Sequence, residues 1–333
     1  MTINISEIAR LAGVSKSTVS RVLNGHADVM PQTRQRVQQI IKEYDYYPKA
    51  YAKAISQQRS SMICLVMPYT PQNSFSNPYY TEVIRGIAIV AQQQGFQMMF
   101  IYSGQGEYML AAKQRSADGI IFINPMKNDY PNIQELRKMD FPLVLTSRTV
   151  GTPNICSVYI DDYRGSALAM EHLISRNHRH IGMINIPNEF PSGEKRFEGY
   201  RDTLEKHRIP YREEYVIHCE DVQIENGLRA MEKLLLLPDI TAVYITDDMM
   251  AAGAIRAIQM QGKSIPGDYS IVGFDDQPLS GYLSPALTTI RHDACLRGRV
   301  AAQMLFDVMA ERPVESPHII DVELIVRDST RSI

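Results

Sequence analysis

An α/β fold carrying a small helical head is what three observations predict. Residues 1–60 show helical periodicity and no strand pattern. From Ser61 onward, short β-rich runs alternate with longer helical ones, the pattern of parallel sheets with helices on both faces. The body after Ser61 is too long for one sheet in a chain of 333 residues, since domains usually run to ~100–200 residues. Two lobes are therefore expected.

The head begins at Asn4-Ile5-Ser6-Glu7. Asn4 is placed to cap a helix and Glu7 to reach back to it. Ile5, Ile8, Ala9 and Leu11 supply its apolar face, and Gly13 can take the left-handed conformation that ends it. Val14 fills the turn. Ser15 caps a second helix, Lys16 to Leu23, with Val19, Val22 and Leu23 inward and Asn24-Gly25 as its stop. Pro31 suits the first turn of a third helix, whose inner face is Val37, Ile40, Ile41 and Tyr44.

Two short helices joined by a tight glycine turn and braced by a third make a helix-turn-helix. The outward residues of its second helix, Lys16, Ser17, Ser20 and Arg21, are the ones able to meet base edges. Lys and Arg donate to guanine O6 and N7, and Ser takes base or phosphate roles. Periodicity alone also fits a generic three-helix bundle.

Charge is a further pointer, though a plain solvated surface fits it as well. Residues 1–60 hold nine basic and four acidic residues, a balance of +5, whereas the rest holds 26 basic and 33 acidic, a balance of −7. A basic head on an acidic body points to a polyanion partner, even though the whole chain carries only −2.

The stretch AGVSKSTVSRVLNG closely resembles the DNA-binding head of the lactose-repressor/galactose-repressor (LacI/GalR) family. The resemblance implies that Lys16, Ser17 and Arg21 choose the operator, with Ser15 and Ser20 also at the DNA. Tyr47-Pro48 and Lys49-Ala50-Tyr51-Ala52-Lys53-Ala54-Ile55 resemble the family's hinge helix. There the resemblance implies DNA contacts from Lys49, Ala52, Lys53 and Ile55, the last as an apolar wedge in the minor groove. Lys49 stands for the usual Asn, Lys53 for Arg and Ile55 for Leu. Met30 replaces the Ser that usually caps the third helix.

In the body, strands are expected at Met62–Met67, Gln97–Tyr102, Gly119–Ile123, Leu143–Thr146, Val158–Ile160, His180–Asn185, Ala242–Thr246 and Ser270–Phe274. Helices are expected at Tyr79–Gln94, Tyr163–Arg176, Glu194–His207, Ile224–Leu236, Met249–Gln261 and Ala294–Ala310. Leu234–Leu237 reads as a buried helix end. Ligands of open parallel sheets sit beyond the strands' carboxyl ends. Three acidic pairs fall there: Asp161-Asp162, Asp247-Asp248 and Asp275-Asp276. No His stands at a spacing suited to acid/base or metal work, and each pair also suits a helix N-terminus. Tyr79 and Tyr80 taken alone fit plain core, and Arg196 a helix-surface ion pair.

The resemblance continues through Asn77-Pro78-Tyr79-Tyr80, Val83–Ile87, Asp118–Ile121, His172–Ile181, Arg196–Tyr200, Val272–Asp276 and Pro285–Ile290. It implies a two-lobed, periplasmic-binding-protein-like effector domain in which Tyr79, Tyr80, Arg148, Arg196, Asp247 and Asp275 line a cleft. Asp247 departs from the commoner Asn, and Ser147 from a frequent Asp. The segment before Asp118 is shorter than usual, which implies a curtailed helix. The implied division is 1–46 head, 47–60 hinge, and 61–333 effector and dimerisation domain. Its lobes are about 61–160 with 291–319, and 161–290 with 320–333.

The implied function is that of a homodimeric, cytoplasmic, nucleoid-associated repressor of carbohydrate-utilisation genes. Its partners are a near-palindromic DNA operator and a small-molecule effector, a sugar in the leading reading. No catalytic constellation, metal cluster or other cofactor motif is recognisable, and no apolar run reaches the ~18 residues of a membrane helix. The N-terminus has no secretory-signal pattern. Cys64, Cys156, Cys219 and Cys295 are scattered and read as reduced thiols. Two readings stay open: a corepressor or phosphorylated partner as the ligand, and a sugar-binding protein without gene control.

Overall fold

The structure, a computed structural model, describes residues 4–23, 26, 28–44, 60–68, 71–104, 106–148 and 155–333. The chain forms two compact units, Met1–Ser60 and Ser61–Ile333. Asn24-Gly25 and the whole hinge segment 47–55, with Lys49, Ala52, Lys53 and Ile55, lie outside the described residues.

The first unit contains α1 (Ile5–Ala12), α2 (Lys16–Leu23) and α3 (Pro31–Glu43). Asn4 and Glu7 form a reciprocal capping box at the start of α1, and Gly13 ends it at φ 61°. Ile8, Ala9, Ala12, Val19, Val22, Val29 and Val37 make the small core. Two expectations need correction. Leu11 is exposed, and Ala12 takes its place inside. Tyr44 is the C-cap of α3 and lies exposed rather than on the inner face; a residue at the cap has left the helical repeat that aims side chains inward.

In the second unit the strands are β1 (Met62–Met67), β2 (Gln97–Tyr102), β3 (Gly119–Phe122), β4 (Leu143–Leu145), β5 (Cys156–Ile160), β6 (Ile181–Asn185), β7 (Val216–His218), β8 (Ala242–Ile245), β9 (Ser270–Asp275), β10 (Thr288–Arg291), β11 (His318–Ile320) and β12 (Glu323–Ile325). Among the described residues they form two six-stranded sheets, in the orders β11-β5-β4-β3-β1-β2 and β12-β10-β9-β8-β6-β7. All pairs are parallel except β10–β12, which sets Thr289 against Ile325. The chain crosses from the first sheet to the second after β5, returns after β10, and crosses again between β11 and β12.

The helices that position the site are α4 (Pro71–Ser76), α5 (Pro78–Gln93), α6 (Glu107–Lys113), α7 (Tyr130–Lys138), α8 (Asp162–Ser175), α9 (Pro191–Lys206), α10 (Ile224–Leu234), α11 (Asp248–Met260) and α12 (Ala294–Met309). Three of these differ from expectation: α4 and α7 were not foreseen, and α10 stops at Leu234, leaving Leu236 80% exposed where a buried helix end was expected. α6, in the segment before Asp118, is only seven residues long, in keeping with the curtailed helix expected there. The buried face of α12 (Ala301, Ala302, Leu305 and Phe306) joins the core made with β1, β3 and α5. α5 and α12 approach so closely that a Cβ on Gly86 would clash with the carbonyl of Cys295, and one on Gly298 with that of Val83.

Candidate DNA-binding surface and effector cleft

In the head, Ser15 Oγ accepts from the Thr18 amide at 3.1 Å and lies 2.7 Å from Ser17 Oγ, so Ser15 caps α2. Val19 and Val22 turn into the core, which leaves Lys16, Ser17 and Arg21 exposed and Ser20 half-buried on the other side. Arg21 Nη1 stands 3.4 Å from Asp28, with both side chains largely exposed. Exposed pairs are worth only ~0–1 kcal/mol, so Arg21 can leave Asp28 for a base or phosphate at small cost. Met30 offers no side-chain cap to α3, and Pro31 supplies the pre-set first turn instead. The surface is thus a short helix presenting two cations and hydroxyls, held from behind by two valines.

The body's cleft lies where the carboxyl ends of both sheets meet. It is narrow, leaving about 30 Å³ of free volume, partly open to solvent. It is lined by Asn77, Tyr79, Tyr80, Asn124, Ile186, Phe190, Ser192, Arg196, Val222, Asp247 and Asp275. Five of the six expected effector residues are therefore brought together. Arg148 is not: it is exposed, its guanidinium 4.9 Å over the Tyr159 ring, and it does not line this space.

Each lining residue has a local reason for its place. Asn77 caps α5 by accepting the Tyr79 amide at 2.9 Å, which sets Tyr79 and Tyr80 in the first turn. Tyr79 Oη donates to Asn124 Oδ1 at 3.2 Å. Asp247 caps α11, accepting from Met249 and Met250 amides at 2.8 and 3.0 Å. Its other oxygen accepts from Asn77 Nδ2 at 3.0 Å, across the two lobes. Gln277 Nε2 makes a second crossing to Asn77 Oδ1 at 3.1 Å. Asp275 ends β9 at φ 105°, a left-handed backbone that costs of order 1–3 kcal/mol for a non-glycine residue and accumulates at functional sites. Its Oδ1 is 3.0 Å from His292 Nε2.

Arg196 is the electrostatic centre. It is buried, donates from Nε to Asp162 at 2.8 Å and from Nη1 to the Thr246 carbonyl at 2.6 Å, and keeps Nη2 3.9 Å from Asp275. Its guanidinium lies 3.7 Å over the Phe274 ring. Burial pulls its pKa down, but the carboxylates of Asp162 and Asp275 outweigh that and raise it. Burial first, and the neighbouring Asp275 charge second, push the Asp247 carboxyl up to about 7. Burial likewise raises Tyr79, so both groups favour their uncharged forms.

The acidic pairs divide their work. Asp161 caps α8 and Asp162 holds Arg196. Asp248 is wholly buried and accepts from Thr289 Oγ1, Ser280 Oγ and the Gln277 amide, tying the β9–β10 connection to α11. Asp276 binds Arg291 and Arg327, both at 2.6 Å. Residues that the sequence reading did not assign to the site are Asn77, Asn124, Phe190, Ser192, Ile186 and Val222. Asn77 was visible as an Asn-Pro helix start and Asn124 as the residue just past a buried strand. The others sit on segments with no local signal.

Comparison with known proteins agrees with this architecture. Residues 4–49 match the lacI family of bacterial regulatory proteins, and residues 170–330 match the periplasmic binding protein-like domain. The chain is 30% identical to the HTH-type transcriptional regulator CelR of Thermobifida fusca, over 97% of this chain and 96% of that one. Among solved structures, a transcriptional regulator CelR–cellobiose complex superposes with a TM-score of 0.76 at 30% identity, covering 98% of this chain and 99% of the other. A lac repressor dimer bound to operator and the anti-inducer ONPF superposes with a TM-score of 0.85 at 25% identity, covering all of both chains. A capped helix-turn-helix followed by two parallel-sheet lobes, matched end to end in this way, is not an enzyme's site but a regulator's: the chain belongs to the lacI family of bacterial regulatory proteins and is a DNA-binding transcriptional regulator.

Proposed function

We propose that this regulator is a homodimeric repressor of carbohydrate-utilisation genes, released from or held on its operator by a sugar bound between the two lobes. The observation that carries the reading is the cleft. Two tyrosines, Arg196, Asp247, Asp275, Asn77 and Asn124 converge there from both lobes. Tyrosine faces stack on the apolar faces of a sugar ring, and carboxylates and amides take its hydroxyls. The CelR–cellobiose complex, with the same fold, supports a sugar as the ligand class.

In this reading Ser15, Lys16, Ser17, Ser20 and Arg21 meet the major groove. Lys49, Ala52, Lys53 and Ile55 of the hinge meet the minor groove, with Ile55 as the apolar wedge that opens it. The division is 1–46 head, 47–60 hinge and 61–333 effector domain, and the protein works at the nucleoid in a bacterial cytoplasm. Two-fold symmetry of the protein then calls for a near-palindromic operator. Exposed Tyr282 and Met260, 91% and 58% accessible, give the body apolar surface suited to a partner copy.

Among the described residues, Asn77–Asp247 and Gln277–Asn77 join the lobes at the cleft, and Ser76–Gln223 and the Lys127 amide to the Glu189 carbonyl bridge them beside it. An effector competing for Asp247 and Asn77 exchanges the first two for its own contacts and so biases the lobe arrangement. Coupling of this kind between sites is typically ~1–3 kcal/mol. The test is thermal-shift screening of the protein against mono- and disaccharides, followed by operator binding with and without each hit. A sugar that raises the melting temperature and changes operator affinity supports the reading. A panel that does neither defeats it.

A further inference from the structure

Charge is divided unevenly between the two walls of the cleft, and the division carries one step more, resting on the reading of a sugar effector given above. Among the described residues that line the cleft, both carboxylates, Asp247 and Asp275, belong to the second lobe, with Asp162 behind them. They surround Arg196, which is bonded to Asp162 and stands 3.9 Å from Asp275. Asp275 also has His292 Nε2 at 3.0 Å, and Asp247 is held toward its uncharged form. The first-lobe lining residues, Asn77, Tyr79, Tyr80 and Asn124, bear no carboxylate.

Behind that first-lobe wall stands Arg297 of α12, 3% exposed, its guanidinium 5.8 Å from the centre of the Tyr79 ring. It donates to the Thr146 carbonyl and to Asn124 Oδ1, its Nε is buried with no hydrogen-bond partner, and it forms no ion pair among the described residues. A guanidinium taken out of water without a counter-charge is costly. Carbonyl oxygens solvate the charge without cancelling it.

Asn124 Oδ1 marks where the donors of this wall meet. Tyr79 Oη reaches it at 3.2 Å and Arg297 Nη2 at 3.3 Å, both beyond the usual range. A carboxylate oxygen arriving at this corner is a stronger acceptor than the amide and brings the charge that Arg297 lacks. On the opposite wall Asp275 accepts hydroxyls, and Arg196 Nη2, with no hydrogen bond among the described residues, donates to a ligand oxygen. The lobes part to admit such a ligand, since the cleft now leaves about 30 Å³, the share of one water in the liquid.

We infer that the effector is a polyhydroxyl acid, a sugar bearing one carboxylate. That carboxylate sits against Tyr79 and Arg297 on the first lobe, and the hydroxyls face Arg196, Asp247 and Asp275 on the second. Arg297 is the residue that sets the preference for the acid over the neutral sugar.

The test uses the full chain at pH 6.5, where sugar carboxylates are ionised, with probes matched but for one group. Glucose, glucuronate and gluconate form one set, galactose, galacturonate and galactonate a second, and cellobiose with cellobionate a third. Glucose 6-phosphate and galactose 6-phosphate are the phosphate arm. Thermal shift finds the set that binds, and calorimetry ranks its members. The acid should bind at least ~10-fold more tightly than the neutral sugar or the phosphate, the scale of one hydrogen bond to a charged group. Arg297→Met removes the charge at similar length and should cost the acid at least ~10-fold more than the neutral member. Arg297→Lys keeps the charge and should retain part of the advantage. Asn124→Asp supplies the carboxylate from the chain itself, at a left-handed position, φ 45°, that Asn and Asp both tolerate. It should raise the melting temperature without ligand and remove the acid's advantage, so the rule stays testable if Arg297→Met does not fold. A neutral or phosphate member that binds as tightly as the acid overturns the acid preference and leaves the sugar reading standing. So does an acid advantage unmoved in both Arg297→Met and Asn124→Asp. Silence across all the probes overturns the sugar reading and the preference with it.

Discussion

Arg21 and Asp275 show how much depends on a single side chain's surroundings. Arg21 is exposed and only loosely paired with Asp28, so Arg21→Ala should leave the fold intact. It should lose about 1–3 kcal/mol of operator affinity if the guanidinium reads a base. Titrating the variant against operator and random DNA checks this; equal losses on both would remove Arg21 from base readout. In the cleft, Asp275→Asn should sharply weaken the effector response while operator affinity without effector stays near wild type, as a reporter assay with purified-protein binding would show. Arg196→Ala is a harsher change than its sequence setting indicated. The residue is a buried pairing centre rather than a helix-surface ion pair, and stripping one partner from a buried pair costs about 3–5 kcal/mol. Asp247 adds a pH dependence. Its carboxyl is held at about 7 in the folded chain, against a free value of 3.8. Below the free value both states are protonated and it costs nothing. As pH rises toward 7 the unfolded chain gains by ionising first, so stability falls through this window and levels off above it. Urea unfolding at pH 5 and 7.5 should therefore show a smaller drop for Asp247→Asn than for wild type.

At the scale of elements, the cleft is built from helix starts. Asn77 caps α5 just after the short α4, Asp247 caps α11 just after β8, and the two caps bond to each other. The α5–α12 crossing fixes where the first of these starts lies. Gly86 and Gly298 let the backbones approach, and a Cβ on either meets a carbonyl of the opposite helix rather than a yielding side chain. Alanine usually favours a helix over glycine by about 0.8–1.0 kcal/mol. Here overpacking should reverse the sign, so Gly86→Ala should destabilise the body by about 1–3 kcal/mol. Tyr79 and Tyr80 ride on α5, and effector affinity should fall in the same variant. A gain in denaturant midpoint would show that the crossing can spread without loss.

For the whole molecule, coupling between operator and effector is a thermodynamic cycle and must run both ways. If a sugar weakens operator binding by a given factor, saturating operator must weaken sugar binding by the same factor. Measuring effector affinity with and without an operator duplex checks this. Unequal factors would mean that a further species, such as a change in oligomeric state, takes part. The device suits the topology. Each lobe draws on distant parts of the chain, with β11 in the first sheet and β12 in the second. The crossing segments tie the lobes while leaving the cleft bonded by only a few side chains.

What the sequence determined by itself is local or periodic. The capping box at Asn4 and Glu7, the left-handed Gly13, the Ser15 cap and the valines of α2 all follow from residues within one or two turns of each other. Eight strands, β1–β6, β8 and β9, were legible as short apolar runs, whereas β7, β10, β11 and β12, only three or four residues long, were not; the ordered motif of the head gave the family. Tertiary structure alone decided which side chains meet. Asn77 bonds a residue 170 positions away, and Gln277 reaches back 200 positions to Asn77. Arg148 stands at a motif position yet turns onto Tyr159, while Asp162, which reads as a helix-start acid, holds Arg196. Such outcomes depend on how two sheets are set together by chain crossings. A pattern of neighbours along the chain records helix starts and buried faces, but not the distance between two strand ends in different lobes.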